Sequence, residues 1–198
     1  MTQQMNKRVR VIIVTDGDPA AQRDIEMAAE DLGLFVLRVS GGNPSQLGGR
    51  EIVSYVLQVP RDPVVVMADD QGFRGTGAGE RIIENLLDHP ERIEVLGVIA
   101  VASNSRVKGV GVDCSVTAGG KTVNVPVDKY GHPAGRQKEL RGDTVEILAR
   151  HPDLLVIGCG DLGKNDETAP HAAATRRGLE EILKRRGIHY PYNPQDEI

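Results

Sequence analysis

The amino-acid sequence predicts an α/β domain, a doubly wound and mostly parallel sheet with helices on both faces. Three observations carry that expectation. Hydrophobic residues make up 39% of the 198-residue chain, yet aromatics are 3% and Trp is absent. The core must then be built from Val, Ile, Leu and Ala, the residues of buried parallel strands. β-branched runs alternate with segments of helical periodicity through the first hundred residues, and crossovers of that kind build parallel sheets from right-handed βαβ units. Clusters of Gly, Asp and Pro separate the runs, as turns between buried elements require. The length suits a single domain spanning 1–198.

The elements follow in order. VRVIIVT (9–15) reads as a strand closed by DGDP, whose proline suits the first turn of a helix. Across 20–32, Ile25, Ala28, Ala29 and Leu32 recur at three- and four-residue steps, which predicts a helix that Gly33 stops. LFVLRV (34–39) is a second strand and SGGNPSQLGG (40–49) a loop. REIVSYVLQV returns as a short helix, VVVMADD (64–70) is a third strand ending in carboxylates, and GFRGTGAGE leads into the helix RIIENLLDH. IEVLGVIAVAS (93–103) is the longest strand candidate. From Gly109 the texture changes, because strand-like runs flank AGGK; a β-hairpin insertion is expected over about 109–131. GDTVEILARHP (142–152) predicts a helix, DLLVIGCG (153–160) a last strand and AAATRRGLEEILKRRG (172–187) a closing helix. The prolines of IHYPYNPQDEI make about 188–198 a flexible tail.

The formal charge of −4, with Lys and Arg scattered along the chain, removes the attraction that general nucleic-acid binding relies on. No apolar run approaches the ~20 residues of a membrane span, and the first ten residues lack the apolar middle of a secretion signal. A soluble protein of the cytoplasmic compartment is expected. Cys114 and Cys159 are the two cysteines. Without CxxC or His-rich spacing they argue against structural zinc, and each reads as a small buried apolar residue.

In parallel α/β sheets ligands sit outside the carboxyl ends of the strands. Asp16 and Asp18 flank Gly17 after the first strand, Asp69 and Asp70 close the third, and Asp161 follows the last. If the chain stays extended through Asp18, Asp16 and Asp18 face the same way and can share one divalent cation, Mg2+ being the candidate cofactor. The alternative is that each caps a helix or forms a turn, roles for which Asp is favoured. Clustered at one sheet edge, these carboxylates repel unless a cation or base sits among them, and Lys164 and Arg74 are candidates. TDGDPAAQRDIEMAAEDLG is similar to the DxD half of the Toprim domain, in which aspartates hold magnesium for phosphoryl transfer. The glutamate that completes that pattern is missing from its expected place, so the resemblance implies a Toprim-like fold more than it implies catalysis.

Two glycine-rich segments invite a phosphate. DDQGFRGTGAGE places Gly75 and Gly77 between a strand and a helix, where backbone N–H groups can cradle an anion, but Glu80 enters that helix's first turn and repels one. VIGCGDLGKND (156–166) fits G-x-G-x-x-G through Gly158, Gly160 and Gly163. It lacks the further strand and acidic residue of a dinucleotide site. As a phosphate loop it has Asn165 where the magnesium-binding hydroxyl belongs, while Pro170 delays the helix. Asp161 and Lys164 remain candidates for holding a small anion.

Read in order, VIIVTDGD, MADDQGFRGTGAGE, VLGVIAVASN, VDCSV, VDKYG, GDTVEIL and IGCGDLGKND resemble the soluble stage V sporulation protein AE family of spore-forming bacteria, from about Arg8 to Arg186. The resemblance implies a role in sporulation and germination. It implies an accessory protein, peripheral at the spore inner membrane, whose partners are the membrane proteins of the same operon that move dipicolinic acid with its calcium. Self-association is compatible with it, and it assigns no catalytic residue.

Overall fold

A computed structural model describes residues 7–72, 75–104, 108–135, 138–162 and 172–191. Its centre is β1 (Val9–Val14), buried from Val11 onward and flanked in parallel by β3 (Val64–Met67) and β4 (Ile93–Val101). β2 (Phe35–Val36) pairs outside β3, and β7 (Val156–Cys159) outside β4, both in parallel. β5 (Cys114–Val116) runs parallel to β7, and β6 (Thr122–Val123) closes the far edge antiparallel to β5. The order is β2-β3-β1-β4-β7-β5-β6, a seven-stranded sheet with one antiparallel pair.

Helices cover both faces. α1 (Pro19–Asp31) and α4 (Ala173–Arg185) pack Ile25, Leu179 and Ile182 over Ile12, Val65 and Ile99. α2 (Gly49–Val56) and α3 (Ala78–Leu87) pack Ile52, Ile82 and Leu86 over Ile13, Val66 and Val98. The path explains the division. From β1 the chain moves outward to β2 through α1, then returns through α2 and α3 to β3 and β4. Right-handed crossovers travelling in opposite directions must lie on opposite faces.

Two expectations are corrected and a third is extended. The predicted strand 34–39 keeps two ladder residues, and Arg38–Ser40 forms a 3-10 turn. Ser40 causes the curl: its hydroxyl donates to the Leu37 carbonyl at 2.6 Å and accepts from the Met67 N–H at 2.9 Å, folding the chain over the end of β3. The predicted helix 142–152 is a 3-10 segment, Glu146–Arg150. Thr144 before it has φ 58, a left-handed conformation that no helix can run through. The hairpin expected over about 109–131 forms as the antiparallel pair β5–β6, and β5 also joins the parallel ladder of β7, so the insertion carries the sheet onward.

Candidate functional site

The sheet's carboxyl edge is shaped by backbone contacts between loops far apart in sequence. A Cβ on Gly17 would lie 2.8 Å from the Gly42 carbonyl oxygen, so only glycine admits the loop after β2. The Gly42 N–H then donates to the Gly17 carbonyl at 2.7 Å, and the Ser45 N–H to the Asp69 carbonyl at 2.9 Å. On the other side the Val101 N–H donates to Thr15 Oγ1 at 2.9 Å and the Ser103 N–H to the Arg141 carbonyl at 2.9 Å. The second bond brings Asp143 to the rim.

Between these loops lies a cavity of about 190 Å³ lined by Thr15, Asp16, Asp18, Asn43, Asp69, Ser103, Asp143 and Asp161, with Val101 and Ala102 behind. It opens beside β1, whose outgoing connection takes one face of the sheet while those of β3 and β4 take the other. Such a switch point is where open α/β sheets form ligand crevices. Asp16, Asp18, Asp69 and Asp161, expected from the sequence, are brought together. Asn43, Ser103 and Asp143 were not singled out. Asn43 sits in a turn-rich loop and Asp143 in a segment read as helix, so neither carried a local signal of the site.

Local duties engage much of the rim. Asp18 caps α1, its Oδ1 accepting from the Ala20 and Ala21 N–H groups at 2.8 and 3.0 Å. Asp16 Oδ1 accepts from the Asp18 N–H at 3.3 Å. Asp69 accepts from Gln71 N–H at 2.9 Å and Gly17 N–H at 3.3 Å. Burial raises the Asp69 carboxyl above its ordinary pKa, those two amides oppose the rise, and the neighbouring Asp70 and Asp143 add to it. Among the described residues, no group of three or more His, Cys, Asp or Glu is placed to hold a metal ion directly. A hydrated divalent cation, which keeps its own waters, is the chemistry a carboxylate-lined cavity of this kind suits.

Asp70 does not line the cavity. It is buried toward α3, where its Oδ1 accepts from the Gly72 N–H at 2.9 Å and its side chain bonds to Glu80. Burial, and then Asp70 itself, push the Glu80 carboxyl up to about 7. Gly75 and Gly77 also lie apart from the cavity. Gly75 lines a hollow of about 170 Å³ with Thr76, Glu80, Glu146, Ile147 and Arg150. The Gly77 N–H is taken by Glu80 Oε2 at 3.0 Å, so the loop's cap is internal. Lys164 and Arg74 lie outside the described residues. Gly158 and Gly160 serve close packing: a Cβ at the first would lie 2.5 Å from Ser115 Oγ, and at the second 2.5 Å from the Gly131 nitrogen. Cys159 is fully buried and its thiol is pushed up to about 12, the reverse of an activated nucleophile.

By fold and cavity the chain is a doubly wound α/β domain with an acidic crevice at the switch point of its sheet. It belongs to the stage V sporulation protein AE1 family, whose model matches residues 10–186. That membership gives the chain a role in stage V of sporulation. No curated protein and no solved structure matches it. Among the described residues no helix is long and apolar enough to cross a membrane.

Proposed function

We propose that this protein is a non-enzymatic accessory of the membrane machinery that moves dipicolinic acid during sporulation and germination, docked as a peripheral component on membrane proteins of the same operon at the spore inner membrane. The family match over residues 10–186 carries the reading. In this setting the carboxylate cavity faces the calcium that travels with dipicolinate, a hard cation suited to oxygen ligands. Deleting the gene in a spore-forming host tests the proposal. Spores with reduced dipicolinate or slowed germination are expected, and wild-type values of both would overturn it.

The gathering of Asp16, Asp18, Asp69 and Asp161 in one cavity favours a second reading, a Mg2+-dependent phosphoryl-transfer enzyme of Toprim-like descent. Here the cavity carboxylates position a hydrated Mg2+ against a phosphate ester. Calorimetry separates the readings. Binding of Mg2+ that Asp16→Ala abolishes supports the enzyme, whereas absent binding, or binding indifferent to that substitution, removes it.

A further inference from the structure

Another hollow, of about 950 Å³ against about 190 Å³ for the acidic cavity, runs along the free edge of the sheet at β2. Its floor is backbone. The Phe35 N–H donates to the Pro63 carbonyl at 3.2 Å and the Leu37 N–H to the Val65 carbonyl at 2.9 Å, both toward β3. Backbone groups alternate in direction along a strand, so the N–H and C=O of Val36 between them point out of the sheet into the hollow. An outward donor and acceptor on an edge strand form a template for one more strand.

The walls rise on both faces of that edge, α1 on one side and Tyr55 of α2 on the other. Met27, Val39 and Tyr55 are 46%, 47% and 47% exposed, and all three line this one hollow. Apolar side chains flanking an open strand edge suit the alternating side chains of an added strand. A second copy of the chain would bring its own walls against these, so a single extended segment fits the trough better than a facing twin. The charges define that segment further. Arg38 is held by Glu26 at 3.1 Å, while Arg23 and Arg61 have no ion pair or hydrogen bond among the described residues. Against these two cations the lining offers Glu30 as the carboxylate outside the Arg38 pair. The trough is thus apolar at its walls and short of negative charge.

We propose that this trough docks an extended, carboxylate-bearing segment of a partner protein, which pairs with β2 as an eighth strand. The inference stands on the edge geometry and holds whether or not the transport reading does. Its test titrates the full chain with a short capped peptide alternating valine and threonine, with a glutamate at each end, and with a lysine-ended twin. The glutamate peptide is expected to bind and to slow hydrogen exchange at the Val36 amide, with the lysine twin at least about tenfold weaker. Arg23→Glu combined with Arg61→Glu should reverse that preference. Val36→Pro should abolish binding while leaving the β3 ladder, because this residue's N–H is not used there. If that variant fails to fold, the charge reversal decides alone. Absence of peptide protection at Val36, equal affinity for the two peptides, or protection arising from dimerisation without peptide would each overturn the proposal.

Discussion

Asp70 and Glu80 meet beside Gly77, where a Cβ would lie 2.7 Å from Asp70 Cβ and 3.1 Å from Glu80 Oε2. Two buried carboxyls this close cannot both ionise without repulsion, so Glu80 keeps its proton to about pH 7 instead of its ordinary 4.5. The folded state therefore binds more protons than the unfolded chain between those values. The stability that Glu80 contributes is fully present below pH 4.5, falls as pH rises toward 7, and is lost above that. Glu80→Gln keeps the cap on Gly77 and supplies an amide donor to Asp70 without the charge. Urea titrations should show it more stable than the parent at pH 8 and nearly equal at pH 5; equal stability at both values would show that the pair does not share a proton. Cys159, buried with its thiol pushed up to about 12, should resist alkylation in the folded protein at pH 8 and react after unfolding in urea. Neither the carboxyl pair nor the inert thiol is visible in a string of letters, because each depends on what a distant segment places beside it.

At the scale of elements, the loop between β2 and α2 holds the cavity together. Gly17 touches Gly42, Ser40 closes over Met67, and Ser45 Oγ accepts from the Asp69 N–H at 3.0 Å. Gly17→Ala forces a Cβ to within 2.8 Å of a backbone oxygen that has little room to yield. Thermal denaturation should show a loss of about 1–3 kcal/mol, and a variant as stable as the parent would mean that the loop is not clamped there. Glycine and serine in this loop were legible as turn residues, and the helix 20–32 was legible from its periodicity and from the proline of DGDP that suits its first turn. The strand 34–39 and the helix 142–152 were overread for a shared reason. Their apolar patterns are real, since Leu37, Ile147 and Leu148 are buried. What ends them is backbone geometry imposed by Ser40 and by the left-handed Thr144.

For the whole molecule, the decisive arrangement is a sheet buried on both faces. Ile12 and Ile13 are consecutive on β1, fully buried, and belong to opposite layers. Ile12→Ala and Ile13→Ala should therefore each cost about 2–5 kcal/mol in chemical denaturation, whereas a sheet with one wet face would leave one of the two nearly silent. Local sequence determined the alternation of strands and helices, the scarcity of aromatics that a Val, Ile and Leu core tolerates, and the placing of aspartates at strand ends. These follow from short-range rules of periodicity and turn chemistry that act within a dozen residues. Tertiary structure alone decided that Asp143 joins Asp16, Asp69 and Asp161 at one cavity, that Asp70 turns away to Glu80, and that β2 is left as an open edge. The physical reason is that strand order and crossover direction, which are set by packing the whole chain on both faces at once, choose which distant loops become neighbours.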